Sequence, residues 1–232
     1  MNKKFCAVIL LSFFFASSLW AQSENNGVWT SIGAEKKFRK WDFSTTAELR
    51  TNVSSAEIDR LSFQFETSYN ILKPLKAGLA YEYIYFHDLK YSDYQPRQRY
   101  IFFVQGNQKF GDFTISLREK VQRTIKDEQD RITESGSYDT YKINPEWNWR
   151  NRLKVEYNIP HFPVNPSLSF ESFYQLNNPE GNTFNKLRYT LSFNYKLSKH
   201  HKIEVYGLVN RKINVSTPAT LCIGGFGYTF SF

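Results

Sequence analysis

Cysteine is almost absent from this sequence. Of its 232 residues only Cys6 and Cys222 carry a thiol, and Cys6 lies in a leader expected to be removed. A mature chain with one thiol cannot close an internal disulfide, which excludes the disulfide-stapled class of small secreted domains. No cysteine stands directly after the leader's cleavage region, which argues against a lipid-anchored N-terminus. Cys222 itself reads as a small apolar wall residue. Long hydrophobic runs are also lacking. The one marked run, Ala7 to Phe15, is too short and too N-terminal to span a bilayer as a helix. It follows Lys3 and Lys4 and precedes the small residues of 16–21, the pattern of a secretory signal peptide. The expected division is a signal peptide over 1–21, cut between Ala21 and Gln22, and one β domain over 22–232.

Clustered charge is a third absence. The formal net charge is +8, and loss of Lys3 and Lys4 with the leader lowers it by two, to +6. The lysines and arginines are spread along the chain rather than gathered into a patch, and an exported protein is a poor partner for nucleic acid. Anionic headgroups or lipopolysaccharide are the better electrostatic partners. The mean hydropathy is negative. That does not count against a membrane barrel, because alternating strands average their hydrophobicity away.

What the sequence has in abundance is aromatic residues, 18 % of the chain, placed with a period of two. The last strand shows it best: Phe226, Tyr228, Phe230 and Phe232 alternate with Gly227, Thr229 and Ser231. Such alternation puts the rings on one face and the small residues on the other. Leu61, Phe63, Phe65, Thr67, Tyr69 and Ile71 repeat the pattern against Arg60, Ser62, Gln64, Glu66, Ser68 and Asn70. After a break at Lys73-Pro74, Leu79, Tyr81, Tyr83 and Tyr85 return opposite Lys76, Gly78, Ala80 and Glu82. Further two-faced strands begin near 41, 113, 147, 168, 187 and 203. The strand around Tyr100, Phe102 and Val104 is blurred, because Ile101 and Phe103 make both of its faces apolar. The segment 27–38 is less regular still. Connections alternate between short turns (73–74, 110–112, 159–166, 198–201) and longer loops (51–58, 87–96, 124–146, 177–185, 211–219).

In a soluble barrel the greasy faces would turn inward and bring some twenty aromatic rings inside, too much volume for so few strands. Inverted, the apolar faces meet lipid. The expected fold is therefore all-β: an antiparallel transmembrane β-barrel of about ten strands, with twelve as the alternative count. Rings are expected to gather in two interfacial girdles, with Trp41, Phe43, Tyr69, Tyr157, Tyr195 and Phe232 at the turn end and Tyr83, Tyr85, Tyr100, Trp147, Trp149 and Tyr174 at the loop end. The opposite faces then point Glu48, Arg50, Glu66, Glu82, Arg118, Arg150, Arg152, Glu171, Arg188 and Glu204 into the lumen as a mixed-sign network. Unpaired buried charge is costly, so these are expected to pair.

The leader ending at Ala21-Gln22, the opening Gly27-Val28-Trp29, the turn from Lys36-Lys37-Phe38 to Trp41-Asp42-Phe43, and Glu48-Leu49-Arg50 resemble an uncharacterised family of bacterial outer-membrane proteins, a domain-of-unknown-function family. The ending Gly225–Phe232 is similar to the C-terminal signal read by the barrel-assembly machinery, which marks Phe226, Tyr228, Phe230 and Phe232 as its carriers. The resemblance implies a location in the cell outer membrane and no activity.

Chemistry is thinly represented. Of the four histidines, His161, His200 and His201 fall in turns, and His87 stands beside Asp88 in a loop without a serine at nucleophile spacing. The pair at 200–201 has no second pair to complete a metal site. Asp127, Glu128, Asp130 and Glu134 lack the spacing of a calcium loop and read as a solvated loop. No cofactor and no enzymatic activity are expected. The leading expectation is a structural or interaction barrel with an ion-paired lumen, embedded in outer-membrane lipids. A narrow pore or small-molecule uptake channel and an outer-leaflet lipid-modifying enzyme are the alternatives.

Overall fold

A computed structural model describes residues 25–52, 57–88, 90–91, 93–129, 131–132, 136–216 and 218–232. The expected signal peptide, with its cut at Ala21-Gln22, and the acidic-loop residues Asp130 and Glu134 lie outside them. Eleven strands form one closed barrel: β1 (Asn25–Phe38), β2 (Trp41–Asn52), β3 (Ile58–Leu72), β4 (Leu75–Asp88), β5 (Asp93–Phe110), β6 (Phe113–Lys126), β7 (Glu146–Tyr157), β8 (Val164–Gln175), β9 (Thr183–Lys196), β10 (His201–Lys212) and β11 (Thr220–Ser231). Each strand is antiparallel to its sequence neighbours, and every connection but 127–145 is too short for a crossover. The ladder closes on itself, so no strand edge is left unpaired.

The count of about ten strands, with twelve as the alternative, is corrected to eleven, and the all-antiparallel expectation is corrected at one place. The irregular segment 27–38 is a full stave of the wall, β1, and it pairs with β11 in parallel from Asn25↔Leu221 to Glu35↔Ser231. An odd strand number makes this unavoidable, because the first and last strands must run the same way. Parallel pairing is somewhat weaker per residue, and side chains reinforce this seam. At its turn end Glu35 of β1 pairs with Lys202 of β10 and accepts a 2.6 Å hydrogen bond from Ser231 Oγ of β11. The Phe232 amide donates to the Glu35 carbonyl at 2.9 Å, and the Ser231 amide to the His200 carbonyl at 2.7 Å. Farther along, Trp29, Leu208 and Ile223 form a buried cluster with Tyr206 and Leu221 packed against it.

The connections sort by length onto the two ends. Residues 39–40, 73–74, 111–112, 158–163 and 197–200 make one end; 53–57, 89–92, 127–145, 176–182 and 213–219 make the other. Gly111 supplies the left-handed φ of +58° that its two-residue turn requires. The expected loop at 87–96 is shorter than foreseen, because β4 and β5 stay paired through His87↔Tyr94 and Asp88↔Asp93. Stacking of the Tyr94 ring on Tyr85 (5.1 Å) and on His87 (4.8 Å) extends the hairpin through a polar stretch.

Polarity is inverted relative to a water-soluble domain. Among the described residues fifteen polar or charged side chains are buried against nine hydrophobic ones, so the interior is the polar compartment. Phe63 and Leu168 are 52 % and 61 % exposed on the outside, while Glu82 and Ser68 keep 6 % and 2 % inside. The blurred strand resolves on the same parity: Tyr100 and Phe102 point out, Ile101 and Phe103 in. Gly78 lets this happen, because the Phe103 ring fills the space above it.

Candidate functional site

The inner faces of β2 to β9 bring a set of charges together around a central cavity of about 230 Å³. Period-two alternation aims every second residue of each strand inward, and tight pairing stacks these rows side by side. Glu82 of β4 sits between two guanidiniums. It pairs with Arg60 of β3, and its second oxygen accepts a 2.8 Å hydrogen bond from Arg99 of β5. Glu171 of β8 holds Arg150 of β7 at 2.9 Å and Arg188 of β9 at 3.6 Å. Glu66 of β3 reaches Arg118 of β6 at 2.7 Å. Those strands are not neighbours, so this bond crosses the interior. Glu48 and Arg50, two apart on β2, pair at 2.7 Å. Such pairs fill space and fix geometry; burial desolvates them, so they add little net stability although breaking one from one side is costly.

Inward aromatic rings also hold cations, some of them, such as Arg50, Arg118 and Arg150, already paired with a carboxylate. Arg50 lies over Trp29 at 3.5 Å, Arg118 over Phe103 at 3.8 Å and Arg97 over Phe86 at 3.6 Å. Phe173 of β8 carries Lys186 at 3.9 Å and Arg150 at 4.4 Å. A ring face attracts a cation through its quadrupole but leaves its charge in place.

The loop-end mouth is partly covered. The 127–145 connection folds back so that Arg131 pairs with Asp88 and, at 3.1 Å, with Asp139. Its guanidinium also lies 3.8 Å over the Tyr141 ring. Tyr141 donates from its hydroxyl to Gln95 at 2.6 Å, and both Gln95 and Asp88 belong to inward rows. Lys90 donates to Asp139 at 2.7 Å and Tyr91 at 2.5 Å. Those two bonds hold the Asp139 carboxyl well below the usual carboxylate range, and the same contact raises Lys90. Burial pushes the Tyr141 hydroxyl up.

Of the ten lumen charges expected from the sequence, eight are in ion pairs: Glu48, Arg50, Glu66, Glu82, Arg118, Arg150, Glu171 and Arg188. Arg152 stands opposite Glu171 across β7–β8 without closing a pair, and Glu204 closes none among the described residues. Sequence reasoning missed Arg60, Arg99, Lys120 and Lys186 as members, and missed the inward rings altogether. Parity alone pointed Arg60, Lys120 and Lys186 inward, whereas Arg99 was hidden by the apolar run 100–104. Phe226, Tyr228 and Phe230 line the outer face of β11, with Phe232 just past its end, and His201 shares a 2.7 Å hydrogen bond with the Tyr228 hydroxyl. His87 faces Glu57 at 3.9 Å. Asp127 and Glu128 accept bonds from backbone amides of their own loop, those of Gln129 and Tyr141.

A comparison with curated proteins finds no match. The sequence pattern of one family covers residues 26–220, nearly all of the barrel. The chain belongs to that family, whose description is "Protein of unknown function (DUF2490)".

Proposed function

We propose that this chain is an outer-membrane β-barrel whose wall crosses the bilayer and whose lumen is filled by ion-paired side chains, a structural or interaction component rather than an open pore. The observation that carries it is the inverted polarity: a closed ring of strands, greasy outside and charged inside. In lipid every backbone polar group must be satisfied internally, and a closed barrel does this. The parallel seam departs from the even, wholly antiparallel pattern of bacterial single-chain barrels, yet it leaves no free edge. Ring pairs such as Trp41–Tyr69 (5.0 Å) and Phe113–Tyr157 (4.9 Å) at the turn end, with Trp149–Tyr174 (6.5 Å) nearer the loops, fit interfacial girdles. A carboxylate on the outer wall, Glu119, accepts a 2.8 Å bond from the Trp149 indole. Outer-membrane lipids are then the surroundings of the wall, the barrel-assembly machinery inserts it, and the long loops are its outward surface. We read His87 as a residue of the loop-side end of β4, stacked on Tyr94 and facing Glu57, not as a lipid-active base.

The placement is tested by fractionation and by gel migration. The protein should partition with outer membranes and run faster unboiled than boiled. Equal migration together with recovery in the soluble periplasmic fraction would sink it. Planar-bilayer recording tests the filled lumen, and discrete conductance steps would replace this reading with the narrow pore or uptake channel.

A further inference from the structure

Charges around the central cavity do not balance. Five arginines, Lys120 and Lys186 line it against two carboxylates, Glu48 and Glu82. Glu171, bound to Arg150 and Arg188 just behind the wall, supplies a third, which leaves four positive charges in excess. The two lysines mark where the excess sits. Lys120 and Lys186 close no ion pair with a described carboxylate, and Lys186 rests only on the Phe173 ring, which does not neutralise it. The Nε atoms of Arg60 and Arg150 are buried without a hydrogen-bond partner. Cations crowded this way repel one another and keep unspent donors, which is the donor set that guanidinium forks and ammonium groups present to an oxyanion.

We propose that the cavity binds a small multivalent oxyanion of the phosphate class, with Lys120 and Lys186 as its principal charge contacts and the cavity arginines completing its hydrogen bonds. Strands β2 to β9 surround the cavity, so the anion enters from water along the barrel axis. A lipid headgroup, whose chains stay on the outer wall, would not reach it. The site rests on the filled-lumen reading proposed above. Failure of that reading appears as conductance steps, whereas failure of the site appears as absent binding in a barrel that does not conduct.

The test uses the full mature barrel in zwitterionic detergent, with inorganic pyrophosphate as probe and chloride adjusted to constant ionic strength. Pyrophosphate should raise the unfolding temperature where chloride does not, and its phosphorus resonance should broaden on adding protein. Lys120→Met and Lys186→Met should each weaken binding at least tenfold, while Lys142→Met, in an exposed loop, should leave it unchanged. Phosphorus line broadening on the unmodified protein decides the matter if a lysine variant does not fold. No broadening, an equal shift with chloride, or binding indifferent to both lumen lysines would overturn the site. So would stabilisation by added phosphatidylglycerol but not by pyrophosphate, since the phosphate bound would then be a headgroup on the outer wall.

Discussion

Phe103 of β5 lies directly opposite Gly78 of β4, and its ring occupies the place where a side chain at 78 would begin. A Cβ there would stand 2.5 Å from Phe103 Cζ and 2.7 Å from Ser68 Cβ, and would press still closer on the Thr67 carbonyl oxygen. Two of these three contacts belong to backbone or to a Cβ, which cannot swing away. Gly78→Ala should therefore destabilise the folded barrel by about 1–3 kcal/mol, the usual cost of overpacking. Equilibrium urea unfolding measures it. Trimming Phe103 to Leu in the same chain should recover only part of the loss, because the β3 backbone stays where it is. Full recovery would show that the ring alone set the constraint.

Glu82 pairs with two guanidiniums from adjacent strands, Arg60 and Arg99. Glu82→Gln keeps the shape and removes the charge, which leaves two buried cations facing each other. Breaking a buried pair from one side costs about 3–5 kcal/mol. The same unfolding measurement should show a loss near that size, and a further Arg60→Met change should return part of it. A loss below 1 kcal/mol would mean that water reaches these cations freely.

Asp139 anchors the long loop through Lys90, Tyr91 and Arg131. Its folded-state pKa is depressed, so its contribution is fully present above the ordinary aspartate value of about 3.9 and is lost progressively as pH falls from there through the lower, folded value. Amide protection of residues 136–143, corrected for intrinsic exchange, should thus stay constant from neutral pH to just above that ordinary value and decline progressively below it. Asp139→Asn should remove that protection at every pH and leave the strands protected. Protection that fades near pH 5 would contradict the assignment.

The wall was readable where each strand keeps one greasy and one polar row. The hairpin of Phe63 and Phe65 with Tyr81 and Tyr83 is the plainest case. It was not readable in β1, whose inward row opens with Gly27, Trp29, Ser31 and Gly33 and meets its first charge only at Glu35. Nor can local alternation reveal which distant strand β1 will meet. The lumen charges followed from parity, since Glu66 and Arg118 lie on inward rows of strands that the pattern defines well. Their cation–ring partners did not, because Phe103 and Phe173 look like wall residues until the opposite face is seen to be apolar as well. Excess positive charge becomes visible only when the carboxylates have been matched to their cations in space.

The parallel seam gives the barrel a direction. Asn25 begins at the end that carries the long connections, and Phe232 finishes at the end that carries the short ones. In an even-stranded barrel the two chain ends meet at one rim, and a few residues can splice them to make a permuted chain. Here a splice must climb the height of β11, twelve residues or about 40 Å along the strand, and so would need a connector as long as a strand. By the same geometry, labels fixed at Asn25 and at Phe232 report from opposite rims.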